Sequence, residues 1–220
     1  MELFTGYGLD YLIRWLHMLA GVIWIGLLYY FNFVQTEYFK EAEDAHKSGA
    51  IQKLVPRALW WFRWGAMITF LSGVALLAYR HQAISYDITV GALLGTLMFL
   101  NVWLIIWPNQ KIVIASAVQV AEGGEALAEA ADSLAKAGLA SRTNTMFSLP
   151  MLFFMGSSAH LPHGLLSEAS TVALGIIILL ILALEANAIF GKQGPMTTVG
   201  GVIHCGVGLT VLLYCIMSFL

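Results

Sequence analysis

Asp10, Arg14, His17, Gly21, Trp24 and Leu28 follow one another at spacings of three and four. On an α-helix that spacing lines them up in one stripe, here inside a long apolar stretch. An ionisable side chain within a bilayer costs roughly 2.5–3.5 kcal/mol on insertion scales, so such a stripe must look into protein rather than lipid. A neutral imidazole can bind a haem iron, and a glycine beside it leaves room for a flat macrocycle. Arg14, one turn nearer the membrane surface, could meet a propionate. The competing use is structural: a buried histidine hydrogen-bonded to the next helix.

A haem b held by His17 needs a second axial ligand at similar depth. His17 falls about 6 Å outside the midpoint of its span, counting 1.5 Å per residue. His160 closes another apolar stretch on the same side, about 12 Å from the midplane by the same count. These two form the expected iron-binding pair, with His163 in reserve. His81 and His163 are also readable as wet interfacial histidines. His204 stands in Gly200-Gly201-Val202-Ile203-His204-Cys205-Gly206-Val207-Gly208, with Gly201 and Gly208 on its own helical face. Those glycines could admit a ring or a neighbouring helix. His204 differs from His17 in depth by about 13 Å, so it is a candidate for a second, inner site near Glu185, Asn187 and Asn101.

Glu185 is the one carboxylate well inside an apolar run. It could relay protons, pair with a cation such as Arg63, or stay neutral and bond an amide. Cys205 and Cys215 are ten residues apart in one apolar segment. On a helix that is about 15 Å, too far for a disulfide, and the spacing fits neither CxxC nor CxxCH. They read as packing residues.

The composition dictates where such residues can sit. Of 220 residues, 59% are apolar and only 11% charged, and mean hydropathy is +0.78. A soluble domain carries about 25% charged residues. A soluble enzyme and a disordered chain are therefore excluded. A nucleic-acid binder is excluded as well, because 11 Lys+Arg against 13 Asp+Glu gives a net charge of −2 with no basic cluster. Chains that face lipid close their backbone hydrogen bonds as helices or as closed barrels. The runs here are continuous rather than alternating, which excludes the barrel.

The expected fold is an all-α integral membrane bundle of six spans, forming a single transmembrane domain over 1–220: 11–34, 59–80, 88–107, 143–161, 170–190 and 198–219. No basic segment or small-residue cleavage site precedes the first span, which reads as a retained anchor. Lys40, Lys47, Lys53 and Arg57 lie between the first two spans. Lys111, Lys136 and Arg142 lie between the third and fourth, and Lys192 follows the fifth. The opposite side has Arg80. The positive-inside rule then places both termini in the periplasm of a bacterial inner membrane. Loops 35–58 and 111–140 read as cytoplasmic amphipathic helices at the interface.

Three stretches resemble a known family. Trp15-Leu16-His17, Gly21-Val22-Ile23-Trp24-Ile25-Gly26 and Tyr29-Tyr30-Phe31-Asn32-Phe33-Val34-Gln35 are similar to the opening helix of the bacterial membrane-bound urate hydroxylases. Asn101-Val102-Trp103 with Trp107-Pro108-Asn109-Gln110-Lys111 resembles the end of that family's third helix. Ser141-Arg142-Thr143-Asn144-Thr145, Ser148-Leu149-Pro150-Met151-Leu152-Phe153-Phe154-Met155 and His160 resemble its fourth. The resemblance implies a membrane domain joined to a periplasmic cytochrome c, passing electrons from urate to the respiratory chain. These 220 residues contain no CxxCH, so the acceptor is expected to be a separate cytochrome c or a larger respiratory complex.

Three functions compete. The first is a membrane redox protein that holds haem b. The second is a urate hydroxylase-like oxidoreductase acting on a small reductant. The third is a structural or assembly subunit without cofactor. The short outer loops, with Asp10, Asp87 and Glu168, are expected to offer a mildly acidic face to a lysine-ringed cytochrome c.

Overall fold

The computed structural model describes residues 4–79 and 84–220; Arg80 and His81 lie outside them. Among the described residues seven helices run in chain order: α1 (Gly6–Glu41), α2 (Asp44–Lys53), α3 (Val55–Tyr79), α4 (Tyr86–Ala121), α5 (Ala130–His160), α6 (Thr171–Phe190) and α7 (Val199–Phe219). No strand is present among the described residues, only one isolated bridge between Ser85 and Leu165. Helix starts follow capping chemistry. Thr5, Ser85, Ser170 and Thr198 each accept a hydrogen bond from a backbone N–H of the first turn, which satisfies a donor the helix itself leaves open.

Among the described residues five helices, α1, α3, α4, α6 and α7, are long and apolar enough to cross a membrane, and the chain is a multi-pass membrane protein. The outer surface is apolar: Val22, Leu104 and Leu179 are each about 70% exposed. The interior holds the polar groups, among them Asn32, Asp87, Asn101, Arg142, Asn144 and Glu185. That inversion of the water-soluble pattern is what a lipid solvent demands. Two aromatic belts mark the water boundaries. Tyr7, Tyr11, Trp15 and Tyr79 are exposed at one end, and Trp60, Trp61 and Trp64 at the other. Trp60 and Tyr79 are separated by about 28 Å of helix, close to the thickness of a hydrocarbon core.

The fourth expected span differs in composition from the other five. Residues 143–161 fall in the second half of α5, a 31-residue helix that is not apolar enough to count among the candidate spans. Its reason is position. Arg142 through Ser148 are all buried, because α5 packs against α4, α6, α7 and α1. A central helix faces protein, so its sequence need not satisfy lipid. Pro150 removes one backbone donor from α5, and Gly206 of α7 packs there, where a Cβ would stand 2.9 Å from the Met146 carbonyl.

The two loops also differ from expectation. α1 continues past residue 34 to Glu41, and α4 continues past 107 to Ala121. Residues 111–140 are therefore the facing ends of a helical hairpin rather than a helix lying on the membrane. Its turn is tied by Ser116 Oγ accepting from Leu127 N at 3.0 Å. Gly123 takes φ +87° there, the left-handed conformation that ends helices. Within 35–58 only α2 stands as a separate helix, packed on α3 and the C-terminal part of α4. The start of α1 and the end of α7 lie at one end of the bundle, the terminal face. The α4–α5 turn and α2 form the other, the hairpin face.

Candidate functional site

The α1 stripe packs directly on α3. At the tightest point a Cβ on Gly65 would stand 3.2 Å from Trp24 N and 3.3 Å from the Ala20 carbonyl, so the missing side chain sets how closely the helices meet. Gly21 faces Thr69, and Gly73 faces the His17 ring. These glycines are filled by the neighbouring helix. His17 Nδ1 lies 3.0 Å from Ser72 Oγ. Ser72 itself donates to the Ile68 carbonyl at 2.6 Å, so its lone pair is what it offers the ring. With the Ser72 hydroxyl so turned, the matching tautomer donates through Nδ1–H and keeps its lone pair on Nε2. Arg14 is committed elsewhere: its Nε and Nη2 donate to the two Asp10 oxygens at 2.6 and 2.8 Å. Trp24 is 2% exposed, and its Nε1–H has no acceptor.

His160 sits at the exposed C-terminal end of α5. His163, just beyond, is fully engaged. Its Nδ1 is 3.0 Å from Asp87 Oδ1, its backbone N–H donates to Asp87 Oδ2 at 2.8 Å, and its Nε2 is 3.0 Å from Ser218 Oγ. Tyr214 packs edge-on against the ring at 4.8 Å. Asp87 does not belong to an acidic outer surface. It is fully buried and also accepts from Ser157 Oγ at 2.7 Å. One carboxylate thus ties the start of α4 to the end of α5, and His163 extends the tie to α7. Its position at the head of a helix resembles an exposed cap, so its burial is not legible in the local sequence.

A second polar cluster crosses the bundle centre. Asn101 Nδ2 donates to Asn144 Oδ1 at 2.9 Å and to Glu185 Oε2 at 3.1 Å, while Asn144 Nδ2 donates to the Met98 carbonyl at 2.9 Å. Glu185 accepts from an amide, the partner expected of it in one of its three possible uses. Arg63 instead lies over the Trp107 ring at 3.8 Å. Asn187 binds the backbone of Lys192 after the end of α6. His204 is exposed on α7, its Nδ1 2.6 Å from the Gly200 carbonyl, and the inner cluster forms without it. A Cβ on Gly208 would meet nothing within 4 Å, and one on Gly201 would meet the Pro195 carbonyl of the turn before α7. Both cysteines are free.

Two π-turns shape these contacts, Tyr30–Gln35 in α1 and Asn101–Ile106 in α4. π-Turns widen a helix locally and recur at functional positions. Each contains an asparagine that reaches α5: Asn32 Nδ2 donates to Ser141 Oγ at 2.8 Å, and Asn101 bonds Asn144. No group of three or more metal-ligating side chains occurs among the described residues.

Several residues that carry the family resemblance, Trp24, Asn32, Asn101, Arg142 and Asn144 among them, are buried in this interior. The family model described as Urate oxidase N-terminal matches residues 82–217, from the head of α4 to the end of α7, so His160 and His204 lie inside the matched stretch and His17 before it. No curated protein and no solved structure matches the chain. With more than half of its length matched, the chain belongs to the urate oxidase N-terminal family.

Proposed function

We propose that this chain is a membrane-embedded redox protein of the urate-hydroxylase type, holding haem b through His17 and passing electrons to a c-type cytochrome at the terminal face. One observation carries the reading: Ser72 fixes the Nδ1 proton of His17 and so leaves Nε2 as a ligand lone pair. Metal-binding histidines are set up in this way, with the second nitrogen held by an acceptor. Trp24 adds a buried donor on the same stripe with no acceptor of its own. The fit is to an axial ligand rather than to a ready slot, because Gly21 already packs on Thr69 and Arg14 on Asp10.

Bound haem would supply one-electron transfer. The chain's own residues do the rest. Ser72 holds the ring tautomer, Asp10 holds Arg14 in place, and apolar helices exclude water from the seam. His160 is proposed as the second ligand, since Asp87 and Ser218 occupy both ring nitrogens of His163. His204 is left without an assigned role in this reading. The family match favours a related reading in which urate itself is the reductant.

A visible spectrum of the detergent-purified protein tests the proposal. A Soret band with a reduced b-type α-band is expected, lost in His17→Ala and altered in His160→Ala but not in His163→Ala. A featureless spectrum after haem supplementation overturns it and favours a structural subunit. Anaerobic bleaching or reduction by added urate separates the two redox readings.

A further inference from the structure

Arg63 of α3 and Lys111 of α4 share one tryptophan. The Arg63 guanidinium lies 3.8 Å from the Trp107 ring centroid and 6.0 Å from that of Trp103, and Lys111 Nζ lies 5.7 Å from Trp107. Every ion pair among the described residues involves other side chains. Arg63 Nε and Trp103 Nε1 are buried without a partner. Contact with an aromatic face offsets only part of the cost of holding a guanidinium beside hydrocarbon. The sequence of the two helices supplies no protein anion. α3 and α4 together carry a single carboxylate, Asp87, and it is buried at the terminal face.

The cluster stands at the level where the hydrocarbon layer ends. Trp60, one turn before Arg63, Trp61 and Trp64 are 47%, 56% and 40% exposed, as interfacial tryptophans are. The Trp64 ring lies edge-on to Trp103 at 5.7 Å and tilted against Trp60 at 6.5 Å, so the rings form a continuous rim around the two cations. One and two turns before Trp107, Leu104 and Leu100 are exposed and apolar. Arg63 is about 14 Å along α3 from Ser72, the partner of His17, so this surface is separate from the proposed haem region and does not depend on it.

We infer that the α3–α4 boundary at the hairpin face holds one anionic phospholipid. Its phosphate accepts from Arg63 and Lys111, its glycerol level meets the tryptophan rim, and an acyl chain lies along Leu104 and Leu100. Basic pockets between spanning helices bind acidic headgroups in this way. A zwitterionic headgroup brings an ammonium that no carboxylate of α3 or α4 can meet and that Arg63 and Lys111 repel. Inorganic phosphate satisfies the cations but makes no use of the leucines.

Native mass spectrometry of the full chain, released from nanodiscs of equal phosphatidylglycerol and phosphatidylethanolamine, tests the inference. One retained phosphatidylglycerol is expected in preference to phosphatidylethanolamine. Lys111→Gln should lower that retention about fivefold, the usual weight of one cation at an anionic membrane surface, and Arg63→Gln should lower it further. Lys192→Gln removes an exposed cation elsewhere at the hairpin face and should change nothing. Because Arg63 is half-buried between two helices, Lys111→Gln decides the outcome if Arg63→Gln fails to fold. Equal retention of the two lipids overturns the inference, as does an equal loss in Lys192→Gln. Retention unchanged in Lys111→Gln, or phosphatidylglycerol displaced by inorganic phosphate, overturns it as well.

Discussion

Removing the Asp87 carboxylate should loosen the terminal face more than any other single polar change there. Asp87 is 0% exposed and accepts from Ser157 Oγ at 2.7 Å, His163 N at 2.8 Å and His163 Nδ1 at 3.0 Å. Hydrogen bonds to a charged group are worth about 1.5–3 kcal/mol each, and removing one partner of a buried pair costs about 3–5 kcal/mol because the others are stranded. Asp87→Ala should therefore cost about 3–5 kcal/mol. At 2–4 °C per kcal/mol for a chain of this size, that is a fall in Tm of about 6–20 °C. Ser157→Ala alone should cost about 1.5–3 kcal/mol. In the Asp87→Ala background it should cost less than about 0.5 kcal/mol, since its acceptor is gone. Glu168→Gln, an exposed carboxylate nearby, should stay within about 0.5 kcal/mol of the parent. Thermal unfolding followed by tryptophan fluorescence in one detergent measures all four. A Tm for Asp87→Ala within about 1 °C of the parent, or additive effects of the two substitutions, would refute the view that this carboxylate joins α4 to α5.

Gly65→Leu should force α1 from α3, because its Cβ would meet Trp24 N at 3.2 Å, whereas Gly26→Leu, with nothing within 4 Å, should be silent; thermal melts of the pair decide. Asn101→Leu strands Glu185 and Asn144 together and should cost about 1–3 kcal/mol, read as a lowered Tm that Glu185→Leu partly restores. A phosphatase reporter fused after Leu220 should be active and one inserted between Glu122 and Glu129 inactive; the reverse pattern inverts the charge-based orientation. Electron transfer to cytochrome c, followed by stopped flow, should slow only shallowly with added salt, since Asp87 is buried and Asp10 is paired with Arg14. A steep dependence would point to an acidic docking surface elsewhere.

The sequence by itself determined the solvent and the class of fold. Long apolar runs with 11% charged residues permit a helical membrane bundle and little else, because lipid offers no partner for an open backbone. The α1 stripe was legible for the same reason: spacings of three and four fix which residues share a helix face, whatever lies opposite. What lies opposite is decided only by packing. Gly21 faces Thr69 of α3, and Gly73 of α3 faces the His17 ring, because Gly65 brings the helices together, a contact between residues more than forty positions apart. Asp87 reads as a loop carboxylate and is buried because His163, 76 residues away, folds over it. The fourth span is too polar for lipid, and its place at the centre follows from surrounding helices that supply the amides and hydroxyls it needs. Arg142 reads as a charge in a basic loop, since local sequence carries no record of the three other elements that close around it. Periodicity is a local property of the chain, whereas burial and hydrogen-bond partnership belong to the assembled bundle.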